Sequence, residues 1–367
     1  MAGRVVMFTP TPTGEGGAGK HTRTIAGGLA DRGWEVTVIA RGLGGRRPRR
    51  SRIGRVDVIE LPGFGNRLGA VAFLLLAVPL GLLRGRRAVY VSLELASQGL
   101  VAATCATLSR RPYVGFSFSS GRRGEIEHFR ASRLWPLRRA LLRRARYLVG
   151  QTPAAAAELR AIVEEERIAV VPTPVEAVEA PPLSGEPKVL FTGRLTGQKG
   201  LDGLLDAWEL VLARVPAARL TIAGSAGGGE GSLWPPVEEE LKARVAASPP
   251  LRDSVAFTGW VADVSDLLAG HDVYVLPSRS EGMSNSLLEA GAWGRVIAAS
   301  DLLANRAVLG EDYPLLFAVD DAEAMAERLV AALADEAARR DAIERIGARM
   351  PAFYADGVLD RIEALLS

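Results

Sequence analysis

The chain has 367 residues and a mass of 39.0 kDa, too long for one small core and suited to two domains of ~150–200 residues each. Apolar residues at 48% and charged residues at 24% exclude a disordered chain, and a single cysteine, Cys105, excludes both a disulfide framework and a cysteine-held zinc site. The net charge of +3 conceals two opposed halves: residues 1–180 hold 28 basic and 14 acidic residues (+14), and residues 181–367 hold 17 and 28 (−11).

The opening apolar run, residues 5–8, reads as a buried strand and passes directly into a Gly/Thr/Pro loop, which is not the pattern of a secretory signal. Residues 21–32 have helical spacing, with Ile25 and Leu29 on one side and Gly33 as the stop, and residues 36–39 form the next strand. A strand–loop–helix–strand opening implies parallel strands in a doubly wound sheet. Residues 41–55 carry seven arginines and read as a basic loop. Strands are expected at 56–61, 88–92, 113–118, 147–150 and 168–172, and a basic amphipathic helix at 134–146. The longest uncharged stretch, residues 68–83, has 16 residues and contains Pro79, so it falls short of the ~20 needed to span a bilayer and suits a buried or interfacial helix.

Residues 181–187, rich in Pro, Ser and Gly, read as a linker. The alternation then restarts, with strands at 188–192, 219–224, 255–258, 272–276 and 295–299, and helices at 201–213, 237–246, 287–293 and 322–334. Ligands of such sheets bind outside the C-terminal strand ends.

Three segments carry chemistry. Gly14 to His21 approaches the phosphate-loop pattern, but His21 stands where Ser or Thr must hold Mg²⁺, which argues against a nucleotide triphosphatase. Its glycines still expose backbone N–H groups ahead of a helix, which suits phosphate. Gly193, Arg194, Leu195, Lys199 and Gly200 lie between a strand and a helix. There Arg194 offers a bidentate fork and Lys199 a point charge, together fitting a diphosphate. Residues 277–290 follow a strand and enter a helix, with Glu281 and Glu289 separated by seven residues. Carboxylates accept hydroxyl hydrogen bonds, which suits sugars and ribose, and the N–H groups of Gly282, Met283, Ser284, Asn285 and Ser286 cap the helix or meet an anion.

On these residues the chain resembles the family 4 type glycosyltransferases of the GT-B fold. Glu281 and Glu289 match the family's Glu-x₇-Glu signature, and residues 193–200 its Gly-Arg-Leu…Lys-Gly signature. The resemblance implies an α/β architecture of two doubly wound Rossmann-like domains facing across a cleft. Residues 1–180 would form the acceptor side and residues 181–345 the nucleotide-sugar side, with a C-terminal helix at 346–367 crossing back onto the first domain. It implies that Arg194 and Lys199 grip the donor diphosphate, Glu281 contacts the transferred sugar and Glu289 binds ribose. Gly193, Gly259 and Trp260 would line the donor site, and Gly16 and Gly17 would face the diphosphate or acceptor. The family's His after the strand at 113–118 is missing; Ser119, Gly121 and Arg122 take its place in a polar loop, and His128 reads as a surface residue.

The activity implied is retaining transfer of a sugar from a nucleotide diphosphate sugar, a co-substrate, to a hydroxyl of an unidentified acceptor, lipid-linked, glycan or natural product. No metal or other cofactor is expected, and Asp320-Asp321 has the wrong context for a metal motif. A GT-B epimerase and an inactive nucleotide-sugar-binding module remain as alternatives. The basic half fits either an anionic membrane surface at the cytoplasmic face or a plain solvated face, and without interleaved aromatics it does not fit nucleic acid.

Overall fold

The computed structural model describes residues 3–10, 17–42, 48–62, 67–118, 124–226 and 235–367. The chain divides into two compact units, residues 1–174 with 353–367, and residues 175–352.

The first unit contains, in order, β1 (Gly3–Thr9), α1 (Gly17–Asp31), β2 (Trp34–Arg41), β3 (Arg49–Ile53), β4 (Val56–Leu61), α2 (Arg67–Arg84), β5 (Ala88–Ser92), α3 (Ser97–Ser109), β6 (Tyr113–Ser117), α4 (Glu125–Arg130), α5 (Trp135–Leu142), β7 (Tyr147–Gly150), α6 (Pro153–Leu159) and β8 (Ile168–Val170). The sheet order is β3-β4-β2-β1-β5-β6-β7-β8, parallel except for β3. The two-residue period of β1 divides the core. Val5 and Met7 pack among Ile25, Leu29 and Val358, whereas Val6 and Phe8 pack among Phe73, Tyr90 and Val101 on the other face. Helix α2 comes close to α3 at Gly81, where a Cβ would lie 2.8 Å from Phe8 and 2.9 Å from Cys105 Sγ, so only glycine fits.

The second unit contains β9 (Lys188–Thr192), α7 (Leu201–Arg214), β10 (Arg219–Ala223), α8 (Glu238–Ala247), α9 (Pro249–Ser254), β11 (Val255–Gly259), α10 (Ser265–Ala269), β12 (Val273–Leu276), α11 (Asn285–Ala292), β13 (Val296–Ser300), α12 (Leu303–Leu309), β14 (Leu316–Phe317), α13 (Ala322–Ala334) and α14 (Glu336–Arg349). Its six strands are all parallel, in the order β11-β10-β9-β12-β13-β14. The order reverses between β9 and β12, so the loops leaving those two strands flank the topological switch point.

Three expectations are corrected. Part of the basic loop is a strand: β3 pairs antiparallel with β4, and all five of its residues are exposed. No alternation marked it, because neither face is buried, and its arginines discourage further pairing at this edge. The linker belongs to the second unit, and the break falls at 174/175, ahead of 180/181. Buried Asp272 accepts from the Ser184 and Gly185 N–H groups at 2.8 and 2.7 Å and pairs with Arg339 at 3.1 Å, while Arg295 donates to the Pro181 carbonyl at 2.6 Å. The tail changes unit at 352/353 and not at 346, because Ile346 and Met350 are buried in the second unit against Gly291.

After that break, α15 (Ala355–Leu366) packs on α1 in the first unit. Val358, Leu359 and Ile362 fill the core there, Glu363 accepts from Trp34 Nε1 at 2.6 Å, and Arg32 pairs with both Glu363 and Asp360.

Candidate active site

The two signature loops of the second unit meet. Lys199 ends a short 3₁₀ turn after β9, and Glu281 lies in the loop between β12 and α11. Lys199 Nζ sits 2.5 Å from Glu281 Oε1, with side-chain exposures of only 11% and 8%. Gly200 permits this approach: its φ is +63°, and a Cβ there would lie 2.2 Å from the Pro277 carbonyl oxygen.

A second set of bonds laces the loops together. Arg279 forks onto Asp202 at 2.9 and 2.7 Å, reaches the Gly197 carbonyl at 2.8 Å and meets Asp320 at 2.7 Å. Its backbone N–H donates to Gln198 O, and Gln198 Nε2 donates to Ser280 O, both at 2.8 Å. Burial opposes ionisation of Asp202, but the Arg279 hydrogen bonds and charge outweigh it and hold the carboxyl below its usual range. Asp320 has a left-handed φ of +61°, and Asp321 caps α13 by accepting from Ala324 N at 2.9 Å. Both acids thus make bonds within the second unit. Among the described residues no group of three or more His, Cys, Asp or Glu is placed to hold a metal ion.

The other residues read from the sequence as a donor site share this strand-end edge. Arg194 is exposed and reaches Gln198 Oε1 only loosely, at 3.5 Å. Gly193 N donates to Ala223 O and Gly224 N to Gly259 O, so the ends of β9, β10 and β11 are tied together. Trp260 follows Gly259 and is 52% exposed. Gly282 is half-buried, Met283 and Ser284 are buried, and Ser284 caps α11, whose first residues are Asn285 and Ser286. Buried Tyr274 donates to the Thr192 carbonyl at 3.2 Å. Burial pushes its hydroxyl up to about 12, with a hydrogen bond to Ser286 and the charge of Glu289 acting on it. Glu289 lies one turn into α11.

Sequence reasoning missed Arg279, Gln198, Asp202 and Tyr274. Arg279 and Tyr274 lie inside or next to a motif, but their partners are 77 and 82 residues away, and spacing does not reveal such pairings.

In the first unit Gly17 opens α1. Gly16, Ser119, Gly121 and Arg122 lie outside the described residues. His21 is buried and stacks on Phe118 with ring centroids 4.7 Å apart; its Nε2 has no partner, and burial lowers its pKa to about 4. Thr22 Oγ1 is 2.8 Å from Thr9 Oγ1. Residues 14–16 of the phosphate-loop pattern lie outside the described residues. His128 is exposed on α4.

Nearby, Glu125 accepts from Leu95 N and Ala96 N at 2.9 and 3.2 Å and from Ser117 at 3.1 Å. Burial holds both carboxyls above their usual range; the charge of Glu125 raises Glu94 further, whereas the hydrogen bonds to Glu125 offset only part of its own shift. A raised native pKa means the unfolded chain ionises first as pH rises. The contribution of these acids to stability is therefore complete near pH 4 and declines as pH climbs through roughly 5 to 8. Denaturant melts at pH 5.5, 7 and 8.5 should show Glu94→Gln losing less stability across that range than the parent.

Two family descriptions match the chain. One, Glycosyl transferases group 1, covers residues 186–335, and the other, Glycosyl transferase 4-like domain, covers residues 16–174. The chain belongs to the family 4 type of GT-B glycosyltransferases. It is 34% identical over 146 residues to the lipopolysaccharide core biosynthesis mannosyltransferase LpsB of Rhizobium meliloti, covering 39% of this chain and 40% of that protein. It is 34% identical over 181 residues to the phosphatidyl-myo-inositol mannosyltransferase of Mycolicibacterium smegmatis, covering 47% and 44%. The matches thus span less than half the length of these curated relatives. Among solved structures, HepE of Anabaena in complex with UDP and glucose superposes with a TM-score of 0.77 at 17% identity, over 99% of both chains. Sucrose-phosphate synthase from Thermosynechococcus elongatus gives 0.76 at 19% identity, over 99% and 98%. These likenesses establish the GT-B fold. The group 1 match spans Arg194, Lys199, Glu281 and Glu289.

Proposed function

We propose that the chain transfers a hexose from a nucleotide diphosphate sugar to an acceptor hydroxyl with retention at the anomeric carbon and without a metal ion. The observation that carries the reading is the Lys199–Glu281 pair at the switch point, with Arg194 exposed on the same loop and Glu289 on the adjoining helix. A cation and a carboxylate held in contact away from water form a ready-made exchange site. An incoming diphosphate takes Lys199, and the freed Glu281 accepts from sugar hydroxyls. Arg194, with no ion-pair partner among the described residues, closes on the same diphosphate and balances the charge that grows on it as the glycosidic bond breaks. Glu289 receives the ribose hydroxyls. One cation held in place, Lys199, and one drawn in by the ligand, Arg194, supply the neutralisation that a metal would otherwise give.

HepE was solved with UDP and glucose, which makes UDP and UDP-glucose the first probes. The acceptor is a lipid-linked, glycan or small-molecule hydroxyl compound, and the basic first unit contacts an anionic membrane from the cytoplasmic side.

The test is thermal denaturation with UDP, GDP, ADP and their hexose conjugates at 1 mM in EDTA. One nucleotide class should raise the Tm, because a ligand selective for the folded state stabilises it by mass action. No shift with any of them, or a shift that needs Mg²⁺, contradicts the reading. Conversion of the donor sugar without an acceptor would identify an epimerase instead.

A further inference from the structure

One helix of the first unit is built against the usual rule. Helix α2 buries Phe73, Ala77 and Gly81 on its inner side. Its outer side carries Val71, Leu75, Leu76 and Leu83, exposed by 53, 70, 45 and 71%, with exposed Pro79 between them. No polar side chain interrupts that face from residue 71 to residue 83. Leu108, at the end of the adjoining α3, adds a further apolar side chain at 63% exposure. A surface helix ordinarily turns polar residues to water, and a continuous apolar stripe of this length marks a contact surface.

The surrounding charge is one-sided. Between Pro62 and Gly124 the chain has eight arginines and one acid, Glu94, which is tucked beside Glu125. Arg86 and Arg87 follow α2, and Arg110 and Arg111 follow α3; all four are exposed. We propose that the outer face of α2, with Leu108, inserts into the headgroup region of an anionic lipid bilayer while these arginines pair with lipid phosphates. This deepens the membrane part of the reading above and rests on it.

The arrangement selects that occupant. A second copy of the chain would bring one arginine rim against another, with half-buried Glu94 as the single acid between Pro62 and Gly124. Nucleic acid would meet the arginines but leave the leucines in water. A bilayer surface satisfies both, since apolar side chains enter the acyl boundary and cations remain at phosphate level. The helix lies on the membrane and does not cross it: its inner face belongs to the core, and no helix among the described residues is long and apolar enough to span.

Co-sedimentation of the full chain with vesicles tests this. Vesicles of phosphatidylcholine and phosphatidylglycerol (7:3) at low salt should pellet the protein, and phosphatidylcholine alone should not. The double variant Leu75→Glu, Leu83→Glu should bind at least ~10-fold more weakly, because both side chains already face solvent and their charges would oppose insertion. Leu303→Glu, an equally exposed leucine of the second unit, should bind as the parent does. Failure of the parent to bind anionic vesicles, or undiminished binding by the double variant, overturns the proposal, as does a concentration-dependent dimer that the double variant abolishes. A nucleotide-induced Tm shift in the same preparation separates the two readings, since losing lipid binding leaves it intact.

Discussion

Lys199→Ala should lower kcat/KM for glycosyl transfer by ~10³-fold while leaving the far-ultraviolet circular dichroism unchanged. Lys199 Nζ pairs with Glu281 at the site, so truncation removes a fixed charge from where the departing diphosphate accumulates its own. Its pair partner makes the loss larger than one missing contact. Without Lys199, Glu281 is a nearly buried carboxylate facing an incoming anion, and its repulsion adds to the missing attraction. Glu281→Gln should therefore behave differently. It releases Lys199 for phosphate, so UDP binding should hold or tighten, while turnover drops by ~10²-fold because an amide orients sugar hydroxyls poorly. The double variant should cost little more than Lys199→Ala alone, as expected for groups acting as a unit. Isothermal titration with UDP beside steady-state kinetics separates these outcomes. Equal losses of UDP affinity in both single variants would show that the pair does not exchange with the ligand.

What the sequence made legible follows from the range of the interactions involved. Val5 to Phe8 could be read as a buried strand because every neighbour that matters is apolar, and burial on both faces leaves an unbroken run. Arg194, Lys199, Glu281 and Glu289 could be read because each loop is short and sits between a strand and a helix, so spacing alone places its charges at a strand end. The hairpin strand β3 could not be read, since its stability comes from backbone bonds to β4 and its side chains all face water. The boundary near residue 181 was misplaced for a related reason. The composition of 181–187 is that of a linker, but Asp272, almost ninety residues on, pins it to the second unit. The charge split of +14 against −11 was informative about the first unit only once exposure was known. Arginines at large did not mark a surface, whereas arginines bordering an unbroken stripe of exposed leucines do.

The same distinction of range governs Arg279. Nothing in its local sequence separates it from any arginine in a loop, yet five hydrogen bonds leave it for Gly197, Gln198, Asp202 and Asp320. Its guanidinium is a positioning group. It lies in the loop that carries Glu281 and bonds to the 3₁₀ turn that carries Lys199, without itself touching the Lys199–Glu281 pair. Removal leaves Asp202 and Asp320 facing each other with no cation between them and frees the two loops to part. Arg279→Ala should cost about 2 kcal/mol of stability and lower turnover by ~10–100-fold, because displacing a reacting group by about 1 Å is enough for such a loss. Arg279→Lys should recover less than half of the stability, since one ammonium cannot reproduce a fork onto Asp202 and a bond to Asp320 together. The split between kinetic constants distinguishes positioning from direct contact. If Arg279 only orients Lys199 and Glu281, kcat should fall with the affinity for UDP reduced a few-fold, and Asp202→Asn, which touches no ligand, should reproduce part of the same loss. An Arg279→Ala variant whose kcat is unchanged, or an Asp202→Asn variant with parental kinetics, would show that the loops hold their geometry without the clamp.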